Sequence, residues 1–269
     1  MEIIEQLDEW RRRYDDWKKD ERASGDDLGD SYPFVRNRRA PFAPARRALP
    51  MLNLALISSA GAYIDGTQPF DISSNEGDLT FREIPSEIQP EDLRFAGRGY
   101  DQSAIESDIN SQLPLARLFE FEGNGIIGQF NPVFWSFCGF IPDAGRVVDE
   151  LAPALIERIN GSEVQAALLI PASPLCHQTV SLIARGLELS GIPTMTLAVL
   201  QDIVASVRPP RAGVYAGELG SVAGLPNYPE HQRRILDEAL RLIEPMDQAG
   251  VRKLTVTLGS SVQVARGER

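Results

Sequence analysis

Sulfur and imidazole are scarce in this chain of 269 residues, which holds two cysteines, Cys138 and Cys176, and two histidines, His177 and His231. The cysteines form no CxxC pair, so neither a disulfide framework nor a zinc site is supported. Two histidines are too few for a histidine-rich metal centre. No apolar run approaches the roughly 18 residues of a membrane span, and the first residues are charged, so no secretory leader is expected. A basic surplus is also missing. Lys and Arg number 27 against 38 Asp and Glu, a formal net charge of -11, the wrong sign for general nucleic-acid binding. Neither G-x-G-x-x-G nor a P-loop occurs. Gly217, Gly220 and Gly224 follow an expected strand but lead into Pro226-Asn227-Tyr228-Pro229, which reads as a wide active-site loop rather than a phosphate cradle. A cytoplasmic protein with no membrane and no nucleic-acid partner is expected.

What is present is a globular composition, 43% hydrophobic and 24% charged, long enough for a sizeable core. From about residue 145 strands and helices alternate: helix 145–160, strand 164–170, helix 174–190, strand 194–199, short helix 200–207, strand 211–215 and helix 230–248. This alternation predicts an α/β fold, a doubly wound and mostly parallel sheet with helices on both faces. Before it, strand 52–58 runs into the small residues Ser59-Ala60-Gly61-Ala62, where a backbone can approach a ligand closely. Residues 78–84 alternate as a short strand, 114–121 reads as helix, and 125–130 and 135–140 are short apolar segments. The natural division is into an arm and connector (1–50), an α/β half (51–144), a second α/β half with the site (145–250) and a tail (251–269), in which 254–258 resembles an edge strand.

The arm is an amphipathic helix over 3–22, with Ile3, Leu7, Trp10, Tyr14 and Trp17 on one seam. It either docks on its own domain or clasps a partner, which makes a homo-oligomer a fair expectation. A polar tether follows at 24–31. Residues 33–50 hold four prolines among five arginines and read as an extended, solvated connector.

The chemistry concentrates at Ser173-Pro174-Leu175-Cys176-His177. A buried strand stops at Pro171 and a helix begins, with Ser173 at the N-cap and Pro174 at the first position, where a missing N–H costs nothing. Cys176 and His177 fall in the first turn, above the carboxyl end of a strand, where open α/β sheets bind ligands. The positive helix end favours a thiolate. His177 is either a general acid/base or a capping residue. Cys138, lacking a neighbouring base, reads as a buried inert thiol.

Several stretches, in preserved order from about 52 to 245, resemble the selenoprotein B-type subunits of the glycine, sarcosine, betaine and D-proline reductases. They are Ile57-Ser58-Ser59-Ala60-Gly61, Gly77-Asp78 with Phe81-Arg82-Glu83-Ile84-Pro85, Gly99-Tyr100-Asp101, Asp108-Ile109-Asn110 with Pro114, Ser173-Pro174-Leu175-Cys176-His177, and Pro209-Pro210-Arg211 with Pro226-Asn227. The resemblance implies an oxidoreductase that cleaves a C–N bond reductively in a small amine or amino-acid-like substrate. It implies a selenocysteine or cysteine nucleophile at position 173, Cys176 as the thiol that closes a bridge with it, and a thiol or thioredoxin-type reductant that reopens the bridge. It also implies a pyruvoyl group on a partner subunit, with no group bound covalently in this chain.

Here the nucleophile position is Ser173. A serine hydroxyl is not ionised near neutral pH without a dedicated base and cannot form the sulfur–selenium bond. The chain is then a substituted form of such a subunit, a divergent member in which Cys176 is the surviving thiol, or a non-catalytic ligand-binding or assembly subunit. Asp65, Arg82, Asp101, Asp108 and Asn110 are candidate substrate-binding residues, a set that suits a zwitterionic amine. Asp101 and Asp108 also fit surface caps. A cysteine-based acid/base enzyme of the racemase type is a further alternative and requires Cys138 beside Cys176.

Overall fold

Two apolar runs far apart in sequence, Leu54–Ser58 and Ala166–Ile170, pair residue for residue as parallel strands at the centre of one sheet. The computed structural model describes residues 2–19 and 31–256. The strands are β1 (Asn53–Ser58), β2 (Ala62–Ile64), β3 (Phe81–Pro85), β4 (Leu93–Phe95) and β5 (Gln129–Phe130). They continue with β6 (Val133–Phe137), β7 (Ala166–Ile170), β8 (Thr194–Ala198), β9 (Arg211–Val214) and β10 (Gly250–Lys253). The principal sheet runs β10-β9-β8-β7-β1-β6-β3, with β5 added beside β1. All its pairings are parallel except β3 against β6 at one edge. β2 and β4 form a separate antiparallel pair. Both expected α/β halves thus contribute to a single sheet.

Burial on both faces explains why β1 and β7 read as continuous apolar runs rather than alternating ones. Leu54, Leu56, Leu168 and Ile170 project into one core layer. Ala55, Ile57, Ala167 and Leu169 project into the other. The helices are α1 (Leu7–Lys18), α2 (Ser103–Ser107), α3 (Leu115–Gly123), α4 (Ala144–Arg146), α5 (Ala152–Asn160), α6 (Pro174–Leu189), α7 (Gln201–Val207) and α8 (Pro229–Leu240). α1, α5, α6 and α7 pack on the first face and α3 and α8 on the second, which is the two-sided cover that the alternation predicts. The helix expected over 145–160 is interrupted by a π turn at Val147–Leu151. Pro153, just beyond it, has no N–H for a regular α-helical bond.

The N-terminal seam is not a free arm. Trp10, Tyr14 and Trp17 are buried in the core of their own chain, with Trp10 stacked on Tyr14 at 5.0 Å and Tyr14 on Trp17 at 5.6 Å. An arm reaching for a partner would leave these rings exposed. The helix starts at Leu7 rather than residue 3 because Gln6 is left-handed, with φ 58°. The polar tether at 24–31 falls almost entirely outside the described residues.

The connector is extended as expected but it is not solvated. It lies along the outer face of α6, where Val35 N–H donates to Gln178 and Ala43 N–H to Glu188. The carbonyl of Arg39 accepts from Arg185. These contacts help explain why α6 is buried along its length despite its polar residues: the buried Gln178, Arg185 and Glu188 each meet a backbone group of the connector. Glu188 also forms a fully buried ion pair with Arg211 on β9. At the C-terminal end, the final strand is Gly250–Lys253. The expected edge strand at 254–258 lies partly outside the described residues, as do 257–269. Among the described residues, no helix is long and apolar enough to cross a membrane.

Candidate active site

The sheet order creates a crevice between β1 and β7. The chain leaves β1 toward β6 on one side, and leaves β7 toward β8 on the other. Adjacent strands whose onward connections diverge mark the switch point at which open α/β sheets bind ligands, beyond the strands' carboxyl ends. Ser59 follows the first strand there and Ser173 the second.

Ser173 caps α6 as expected. Its φ of -128° and ψ of 175° are extended, and its hydroxyl oxygen accepts the Cys176 N–H at 3.2 Å. The same hydroxyl donates to the Cys176 sulfur at 3.0 Å. Cys176 Sγ is in turn placed to donate to the Ser59 carbonyl at 3.8 Å. Ser59 ties the two strand ends together, because its hydroxyl accepts the Ala172 N–H at 3.0 Å. On the third side, a Cβ on Gly139 would lie 2.7 Å from Cys176 Sγ, so only glycine lets the chain after β6 approach the sulfur this closely. Ser59 and Gly139 were not candidates from sequence. The small-residue run after β1 was the available signal for Ser59, and nothing in the sequence marks Gly139.

His177 is held by two backbone groups. The Val199 N–H donates to Nε2 at 3.2 Å, so Nε2 carries no proton; the ring proton is on Nδ1 and donates to the Ser173 carbonyl at 2.7 Å. Burial pushes its pKa down to about 4, against the opposing pull of that carbonyl. Neutral and doubly hydrogen-bonded, His177 locks the start of α6 to the end of β8. Both ring nitrogens are thus engaged by backbone groups.

Cys138 comes near the same place. Burial pushes its thiol up to about 12, with the charge of Cys176 as the next cause. Such a thiol is a poor base near neutral pH, which weakens a two-cysteine acid/base reading. Tyr100 joins the cluster: its hydroxyl donates to the Ala60 carbonyl at 2.8 Å and its ring packs with Ala60, Ala172 and Cys176. Its phenol is raised by burial and then by both cysteines.

The other candidates lie elsewhere. Asp65 pairs with Arg94 at 2.7 Å beside the antiparallel β2–β4 pair. Arg82 sits 4.3 Å over the Phe70 ring at the outer edge of the sheet, where it lines a cavity of about 590 Å³ with Asp78 and Arg158. Asp101 caps α2 through Ser103. Asp108 accepts from Asn110, Asn227 and Gln232; burial opposes ionisation, yet those bonds hold its carboxyl below the usual range. Asn110 accepts the Ala116 N–H. Among the described residues, none of these five side chains hydrogen-bonds Ser173, Cys176 or His177. Asp101 and Asp108 act as caps, and Asp108 fastens the 225–232 segment.

The three central side chains are closed off, with Ser173 and His177 at 0% and Cys176 at 1% exposure. A substituent at 173 able to bond sulfur would stand within reach of Cys176.

The chain is 29% identical over 209 residues to D-proline reductase subunit gamma of Acetoanaerobium sticklandii, covering 78% of this chain and 85% of that protein. It is 24% identical over 227 residues to glycine reductase complex component B subunit gamma of Symbiobacterium thermophilum, covering 80% of this chain and 50% of the relative. It is 23% identical over 190 residues to sarcosine reductase complex component B subunit beta of Peptoclostridium acidaminophilum, of which 42% is covered. The chain thus spans half or less of these two longer relatives. No protein-family model and no solved structure matches it.

Proposed function

We propose that this chain, similar to subunits of D-proline, glycine and sarcosine reductases, belongs with them as the thiol-bearing subunit of a multi-subunit reductase, with residue 173 and Cys176 as the reacting pair. The observation that carries this reading is the 3.0 Å contact between Ser173 Oγ and Cys176 Sγ at the sheet's switch point.

Reductive cleavage of an ammonium-bearing carbon needs two electrons and two hydrogens. One hydrogen replaces nitrogen on carbon and the other goes to the nitrogen, which leaves as ammonia or an amine or, from a ring, stays tethered in the product; the two thiols that supply them end as a disulfide. Position 173 and Cys176 are spaced for such a pair, and an external dithiol would restore it. Serine supplies no electrons, so this chain holds one half of the couple. The resemblance assigns a pyruvoyl group to a partner subunit; this chain's own contribution is the positioned sulfur of Cys176 in the first turn of α6.

Dithiothreitol-dependent consumption of D-proline, sarcosine and glycine tests the reading, with this chain combined with the remaining subunits of the D-proline reductase relative. Ser173→Cys is expected to consume one of these substrates, and Ser173→Cys with Cys176→Ala to lose that activity. A second reading, a ligand-binding or assembly subunit without turnover, draws on Ser173 itself. It is favoured if Ser173→Cys assembles with the same subunits and consumes nothing.

A further inference from the structure

Cys176 is sealed, and Tyr100 belongs to the cover. With Phe95, Tyr100 packs against the buried cluster of Ala60, Ile105, Ala172 and Cys176, and it is itself half-buried. Two glycines hold it. A Cβ on Gly97 would fall 2.3 Å from the Tyr100 hydroxyl, and one on Gly220 would fall 3.0 Å from its ring. Gly220, with φ +76°, belongs to the wide loop after β9. Its N–H donates to the Ala172 carbonyl at 3.0 Å, immediately before Ser173. A Cβ at Gly220 would also meet the Asp101 carbonyl at 2.4 Å, so the loop after β4 and the loop after β9 close directly on each other. The hydroxyl of Tyr100 is latched to the Ala60 carbonyl at 2.8 Å.

We propose that Tyr100 is a removable plug over the Ser173–Cys176 pair, its ring closing the site and its hydroxyl serving as the latch. The proposal rests on the reading of that pair as the reacting groups. A sulfur at 1% exposure meets neither a small amine nor a dithiol until the cover moves. The connection is local: lifting Tyr100 costs one hydrogen bond and the contacts of one ring, and leaves the sheet and α6 intact. A ring pinned between two glycine backbones can leave and return without side chains clearing its way. The plug is therefore a positioning element that sets when the sulfur is reachable, not a group that reacts.

Alkylation of the full chain by iodoacetamide, read at Cys176 by peptide mass spectrometry, tests this without any turnover. Losing the latch alone, in Tyr100→Phe, is expected to raise the Cys176 rate about fivefold, the loss of about one hydrogen bond. Tyr100→Ala is expected to raise it by about a hundredfold, the loss of a packed ring. Leu118→Ala in α3, on the other face of the sheet, is the control for general destabilisation; it should label Cys138 and Cys176 together, through global unfolding. The proposal is overturned if Cys176 of the unaltered chain reacts like an exposed thiol, or if Tyr100→Ala labels no faster than Leu118→Ala. Because labelling needs no substrate, an inactive Ser173→Cys chain with a Tyr100-dependent rate would remove the reductase reading and keep the plug.

Discussion

The Ser173 hydroxyl both receives the Cys176 amide proton and donates to the Cys176 sulfur, at 3.2 and 3.0 Å. One side chain thus caps the helix and touches the thiol. Replacing its oxygen by sulfur asks for a shift of about 1 Å to reach the 2.05 Å of a disulfide. Ser173→Cys is therefore expected to close a bridge with Cys176 under mild oxidation. Thiol titration of the unfolded chain checks this, since only Cys138 should remain reactive. Retention of every thiol would mean that the first turn of α6 cannot bring the two atoms together.

His177 makes the fold acid-sensitive in a defined window. Its folded pKa of about 4 lies below the unfolded value of about 6.5. The unfolded chain therefore binds the extra proton. Stability from this group is complete above the unfolded pKa and falls as pH drops from there through about 4, by at most about 3 kcal/mol. Urea midpoints near neutral pH and about pH 4.5 should differ less in His177→Gln than in the unaltered chain. Equal differences would assign the acid sensitivity to other groups.

The buried Glu188–Arg211 pair joins α6 to β9, and Glu188 also receives the amides of Ala43 and Thr194. Removing one partner strands a charge in the core. Glu188→Ala is expected to cost about 3–5 kcal/mol, whereas an apolar replacement of both residues should recover much of that loss. Chemical denaturation of the single and double variants measures both. A single variant as stable as the parent would show that Arg211 finds other partners.

The N-terminal helix is part of the core rather than a clasp. Trp10 is 1% exposed and its indole N–H donates to the Pro33 carbonyl at 2.7 Å. Trp10→Ala should lower stability by about 3–5 kcal/mol without changing the molecular mass in solution. Light scattering together with urea unfolding separates these effects, and a change of mass at unchanged stability would restore the partner-clasping arm.

Much of this molecule was legible in one dimension because its determinants are local. Pro171, the Ser173 cap and Pro174 at the first helical position specify the start of α6, and apolar runs bounded by breakers specify β1, β7 and β8. The alternation of elements is enough for a parallel sheet covered on both faces, and the order of short motifs is enough to mark the resemblance to the reductase subunits. The connector reads as extended, which it is, but also as solvated, which it is not: its prolines and arginines carry no sign that its backbone bonds Gln178, Arg185 and Glu188 of α6.

Sequence alone determined that a capped serine and a cysteine share one helical turn, because three residues at a helix start are joined by the backbone itself. Only the tertiary structure decided what surrounds them. Ser59, Tyr100 and Gly139 reach Cys176 from separate strand ends and loops, and the Val199 amide, brought up by β8, holds His177 neutral. Such contacts depend on which strands become neighbours and on burial, and neither is written in the spacing of residues along the chain.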